Sequence, residues 1–170
     1  VAVIDILYNT QKGADSDPAN GHELYELMID CTAGAEYGIR ALSVTRATIA
    51  RVGVFGALSV GIVFNNGWIN RIEGCSLQHC GIGIKAFQEV NSVDILNNII
   101  EHFSLAGIAV FSGMNMNVQG NCIEGGAGPA IVASNVDSLT IANNYFESNN
   151  CGGGGKDDEC SAGTNGGIKG

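Results

Sequence analysis

Ile49, Ile72, Ile95, Val118 and Ile141 follow one another at a constant step of 23 residues, and each lies in a short run of strand-forming sequence. A second series, Ile39, Ile62, Ile84, Ile108 and Ile131, runs beside it at steps of 23, 22, 24 and 23. Each member of the second series follows a small residue: Gly38, Gly61, Gly83, Gly107 or Ala130. A fixed period in the range of about 20–50 residues marks a chain built from stacked copies of one supersecondary unit.

Superposed, the repeats expose the role of each position. The first segment of each coil reads GIRAL, GIVFN, GIGIKAF, GIAVF and AIVAS; the second reads TIARVGVF, RIEGCSLQ, DILNNIIE, NVQGNCIE and TIANNYFE. Period-2 alternation of β-branched residues specifies strands, not helices. Two strands per coil, joined by Gly, Asn and Ser turns, describe an all-β parallel solenoid with a coil of about 23 residues. The L-x-x-L-x-L signature of leucine-rich repeats is absent. Glycine, 25 of 170 residues against 2 prolines, suits many tight turns by supplying positive φ.

The chain reads as one domain over residues 1–170: an N-terminal coil and loop (1–36), regular coils (37–150), a Gly-rich inserted loop (151–166) and the start of a further coil (167–170). Gly167, Ile168 and Lys169 repeat the pattern of Gly38, Ile39 and Arg40, so the sequence is expected to be a piece of a longer protein.

In such a solenoid, equivalent residues of adjacent coils lie about 4.8 Å apart, and columns matter more than sequence neighbours. Asn98, Asn121 and Asn144 form one inward column at a bend, where stacked amides hydrogen-bond one another and cover turn backbone groups. Cys75 shares this column as a small core residue. Beside it, outward, run Phe55, Gln78, Glu101, Glu124 and Glu147, followed one residue later by Gly56, His79, His102, Gly125 and Ser148.

Three carboxylates in line with two imidazoles form the strongest chemical candidate. Like charges about 5 Å apart raise the pKa of at least one member, and the set titrates as a unit. Glycoside hydrolysis needs one protonated and one ionised carboxyl about 5–5.5 or 6.5–9.5 Å apart. Glu101 or Glu124 then serves as acid, a neighbouring Glu (Glu147 included) as nucleophile or base, and His102 as modulator. Gln78, His79 and Trp68 are the candidate substrate-binding residues. The same column is also open to an incidental or cation-binding ladder, or to a contact with a neighbouring subunit. Trp68, in the turn NNGW, and Phe87 and Phe111, at the ends of first segments, offer sugar platforms or packing against a neighbouring coil or subunit.

The small-Ile strands, the coil length, the asparagine ladder and the string NNYFE resemble the right-handed parallel β-helix of the pectate-lyase-like superfamily, most clearly over residues 37–150. The resemblance implies a polysaccharide or other glycan as partner, and an oligomer, with trimers frequent among tailspikes and fructotransferases. It spans lyases, hydrolases, fructotransferases and non-enzymatic adhesins, and names no reaction. The resemblance implies Asp clusters in calcium-dependent pectate lyases of this fold; the outward first-segment residues here are Arg40, Val63, Lys85, Ala109 and Val132, which disfavours that activity, and no cofactor is expected, with calcium left open but unsupported. Asp15 and Asp17, in the loop GADSDP, could hold a cation but read as solvated loop residues. Asp94 and Asp137 do not form the Asp trio of polygalacturonase-like hydrolases.

A net charge of −9, from 8 Lys plus Arg against 17 Asp plus Glu, disfavours nucleic acid and anionic membranes and leaves neutral glycans as the easier ligand. No apolar run reaches the roughly 18 residues of a membrane span. Cys151 and Cys160 bracket GGGGKDDE, and a bridge between them would staple that loop, consistent with an extracellular or otherwise extracytoplasmic site. The expected function is a carbohydrate-active β-helix acting on neutral polysaccharide or fructan, the alternative a structural or adhesive β-helix that binds glycans or partner subunits.

Overall fold

The computed structural model describes residues 1–7 and 21–150. Cys151, Cys160, Asp15, Asp17 and the segment 167–170 lie outside the described residues. The described chain contains strands and no helix: β1 (Ala2–Leu7), β2 (Glu23–Tyr25), β3 (Met28–Asp30), β4 (Tyr37–Leu42), β5 (Thr48–Ala50), β6 (Gly53–Phe55), β7 (Val60–Asn65), β8 (Trp68–Glu73), β9 (Ser76–Gln78), β10 (Ile82–Leu96), β11 (Ile99–Glu101), β12 (Ala106–Gln119), β13 (Cys122–Glu124), β14 (Ile131–Ala142) and β15 (Tyr145–Glu147).

All pairing is parallel. β3, β6, β9, β11, β13 and β15 stack into a 6-stranded sheet, and the remaining strands form a 9-stranded sheet in which β10, β12 and β14 are long enough to serve as both first and second strand of their coils. The two isoleucine series are in register: Ile39 beside Ile62, Ile62 beside Ile84, Ile84 beside Ile108 and Ile108 beside Ile131. The other series runs Ile49, Ile72, Ile95, Val118, Ile141 in the same manner. These columns fill an apolar interior with Val52, Val54, Phe64, Leu77, Ile100, Phe103 and Ile123. β1 joins this stack as well, with Asp5 bonded to Arg40 at a separation of 35 residues, so one coil carries an insertion that falls between β1 and β2.

Two expectations are corrected. First, the second segment of each coil is two strands, not one, because a residue in the left-handed conformation breaks it: Arg51, Gly74, Asn97, Gly120 and Asn143 all have positive φ. Second, glycine supplies only a minority of the left-handed corners. Most positive-φ residues here carry side chains, including Arg46, Ile69, His79, Gln88, Glu89 and His102. They fall in four columns per coil, for example Ser43, Arg46, Arg51 and Gly56 in one coil and Asn66, Ile69, Gly74 and His79 in the next. A left-handed L-residue costs roughly 1–2 kcal/mol. The offset is the ladder itself: Arg46 N–H reaches Trp68 C=O at 2.9 Å, Arg51 N–H reaches Glu73 C=O at 3.0 Å and His79 N–H reaches Glu101 C=O at 3.2 Å, so bonding between coils continues through each corner.

The glycines that precede the inward isoleucines have a different task. A Cβ on Gly83 would lie 2.5 Å from Ile100 Cγ2 and 2.7 Å from the Gly107 carbonyl oxygen; Gly38, Gly61 and Gly107 are confined in the same way. They let one sheet close onto the other. The 24-residue step between Ile84 and Ile108 also has a visible cause. The register slips between Phe87 and Val90, and both Gln88 (φ +59°) and Glu89 (φ +61°) occupy the bend that elsewhere takes one residue.

Candidate functional site

The outward column lies on the smaller sheet. Phe55 stands beside Gln78, Gln78 beside Glu101, Glu101 beside Glu124 and Glu124 beside Glu147. Strands of three residues project only their first and last side chains outward, so each rung presents a pair: Ser76 with Gln78, Ile99 with Glu101, Cys122 with Glu124, Tyr145 with Glu147.

The side chains bind one another along the stack. Gln78 Nε2 donates to Glu101 Oε2 at 2.6 Å. Burial first, then a hydrogen bond with Glu101 and the charges of Glu101 and Glu147, hold the Glu124 carboxyl above its ordinary 4.5, against a smaller opposing effect of the Cys122 thiol. Cys122 Sγ sits 3.8 Å from Glu124 Oε2. Tyr145 donates its hydroxyl to Glu147 Oε2. That bond and the glutamate charge raise the Tyr145 phenol above 10. Cys122 is likewise raised, by partial burial and then by its glutamate neighbours, which keeps it a thiol.

His79 and His102 occupy the left-handed corner immediately after the column, both at φ +54°. Their rings stack at 4.9 Å between centroids with planes 20° apart, and Phe55 meets His79 edge-on at 5.0 Å. The His102 ring lies over Gly125, whose absent Cβ would fall 2.9 Å from Nδ1. The acids, the imidazoles and Gln78 therefore share one face.

Trp68 stands elsewhere. It opens β8 on the larger sheet, beside Asn91, and the whole of β8 plus the corner at Gly74 and Cys75 separates it from β9. Phe87 and Phe111 are neighbours on a third surface, under Lys85 Nζ, which is 4.5 Å from the first ring centroid and 6.0 Å from the second. Asp94 receives Arg71 Nη2 at 3.1 Å and belongs to a surface ion pair. Among the described residues, no group of three or more His, Cys, Asp or Glu side chains is arranged to hold a metal ion.

The asparagine column follows one rule. Asn98 Oδ1 accepts from Cys75 N–H at 2.9 Å and its Nδ2 donates to Ile72 C=O at 3.2 Å. Asn121 repeats this with Asn98 N–H and Ile95 C=O, Asn144 with Asn121 N–H and Val118 C=O. Along the column, Asn98 Nδ2 reaches Asn121 Oδ1, and Asn121 Nδ2 reaches Asn144 Oδ1, each at 2.9 Å. Cys75 imitates an asparagine, its Sγ lying 3.6 Å from Ile49 C=O. Asn70 and Asn149 staple two other corners in the same way, and sequence reasoning missed both because neither has an asparagine above or below it among the described residues. Their one sequence signal is a lone Asn at the start of a corner in the 23-residue frame. Cys31 and Cys80 are buried free thiols, the latter pushed up to about 11 by burial.

No curated protein and no solved structure matches the chain. Residues 33–166 match the family model described as the right handed beta helix region, and with that match spanning most of the chain the protein belongs to the right-handed parallel β-helix family.

Proposed function

We propose that this β-helix engages a neutral polysaccharide along the Gln78–Glu147 face and that the glutamates act on it as acid and base. The observation that carries this reading is the raised Glu124 carboxyl between two other glutamates. Glu101 stands directly beside Glu124 and accepts from Gln78 Nε2, which ties it into the row of side chains. Glu101 therefore flanks Glu124, and Glu147, on the next rung and hydrogen-bonded by Tyr145, is the partner carboxylate. Glu124 donates to the leaving oxygen, Glu147 supplies the base or nucleophile, and His102 borders the acid. The extracytoplasmic location and an oligomer, a homotrimer by family likeness, accompany this reading as proposals.

A second reading, glycan adhesion without cleavage, is favoured by the way these side chains satisfy one another in a continuous row. Incubating the purified chain with neutral polysaccharides and fructans, and following both retention and product, separates the two. Product formation that falls about a hundredfold or more in Glu124→Gln and Glu147→Gln supports the enzyme. Retention without product, weakened by the same substitutions, identifies an adhesive surface. Neither retention nor product with any substrate overturns both.

A further inference from the structure

Glu101, Glu124 and Glu147 stand beside one another on β11, β13 and β15, with about 4.8 Å from rung to rung. No Lys or Arg lies on any strand of that sheet, so no cation of the sheet itself offsets the repulsion along the row. What differs among the three glutamates is the donor that each one meets. Glu101 accepts from Gln78 Nε2 at 2.6 Å, and Glu147 accepts from the Tyr145 hydroxyl. Glu124, between them, meets the Cys122 thiol at 3.8 Å, and a thiol is a weak donor.

The fold sets the two end donors. Gln78 occupies the Glu101 column one rung earlier, and the next residue in that direction is Phe55, which offers no side-chain acceptor. The Gln78 amide therefore turns to Glu101. Beyond Phe55, Asp30 is engaged by Thr32 N–H at 2.9 Å. At the far end, Tyr145 and Glu147 are the first and last residues of β15, so both side chains project from the same face. Ile99 holds the place equivalent to Tyr145 beside Glu101 and brings no donor. His79 and His102 stand at the corners after Gln78 and Glu101 and stack on one another at 4.9 Å; among the described residues neither bonds a carboxylate.

A hydrogen bond donated to a carboxylate favours its charged form, and a neighbouring carboxylate disfavours it. A row with a strong donor at each end and a weak one in the middle has its preferred proton site in the middle. We propose that Gln78 and Tyr145 are positioning residues that confine the proton of the row to Glu124. The raised Glu124 carboxyl agrees with this placement. The row titrates as a coupled set, so removing either donor lets the adjacent end glutamate compete for the proton. As a part of catalysis this role rests on reading Glu124 as the acid; as a placement of charge it is measured without substrate.

The protein is prepared with isotope-labelled glutamate carboxyls, and each is followed by NMR as pH is raised from acid to neutral. Glu101→Gln, Glu124→Gln and Glu147→Gln supply the assignments. Glu124 is expected to titrate last of the three in the unaltered protein. Gln78→Met keeps the side-chain length without the donor, and there the last step is shared between the Glu124 and Glu101 signals. In Tyr145→Phe it is shared between Glu124 and Glu147. Circular dichroism verifies that each variant is folded, and should one fail to fold, the other end decides. A last step that belongs to Glu101 or Glu147 in the unaltered protein overturns the proposal, as does a folded variant at either end that keeps the unaltered pattern. Side chains that merely stabilise the sheet would move its denaturation midpoint and leave the order of titration as it was. Absence of cleavage with every polysaccharide would dismiss the enzyme reading alone, since the titration needs no ligand.

Discussion

Glu124 stands directly beside Glu101 on the neighbouring rung, and burial, together with that neighbouring carboxyl, holds the Glu124 carboxyl above its ordinary range. Burial, the Glu101 carboxyl and the charge of Glu147 all disfavour the ionised form, so folding favours neutral Glu124. Because its folded pKa lies above the ordinary 4.5, its contribution to stability is fully present below pH 4.5 and is lost as pH rises through the folded value. Asp5, hydrogen-bonded by Arg40, and Asp30, hydrogen-bonded by Thr32, are held below 3.8, and their contributions disappear as pH falls through their folded values. Urea midpoints measured across pH should therefore decline from mildly acid conditions toward neutrality. Glu124→Gln should flatten that limb and leave the acid limb intact. An unchanged neutral limb in the variant would mean that the pair is not its source.

Gly83→Ala should destabilise the chain by about 1–3 kcal/mol, the usual cost of overpacking. The added methyl meets Ile100 on one side and a backbone carbonyl of the next coil on the other, and the carbonyl cannot swing aside without breaking the ladder. Equilibrium denaturation reads the effect. A neutral result would mean that the two sheets can separate locally at no cost.

Much of the fold was legible because a period of 23 residues places Ile72 beside Ile49 and Ile95 whatever the local turn does. The glutamate column followed from the same spacing. The corners were not legible, since no residue type announces that Ile69, His79 or Arg51 will adopt positive φ; the bonds between coils impose it. The same is true of Trp68. Without the break at the corners, spacing alone does not show how far Trp68 lies from Gln78 in the cross-section. Which carboxyl keeps its proton depends on side-chain contacts that spacing does not encode.

Asn121→Ala should cost about 3 kcal/mol, more than Asn144→Ala. Asn121 is buried and accepts from Asn98 N–H while donating to Ile95 C=O and to Asn144 Oδ1. Its loss strands several groups, each carrying a penalty of about 1–3 kcal/mol when buried without a partner. Asn144, less buried, stands last in the column and has no asparagine in the described residues beyond it. Thermal or urea unfolding of the two variants would rank them, and equal losses would show that cooperation along the column adds nothing.

Ile69→Asn should stabilise the protein by about 1 kcal/mol, because asparagine tolerates the left-handed backbone that costs a β-branched residue more. The residue is 57% exposed, so little burial is forfeited. Urea denaturation midpoints of the two proteins test this, and lower stability in the variant would mean that the contacts of Ile69 outweigh its backbone cost.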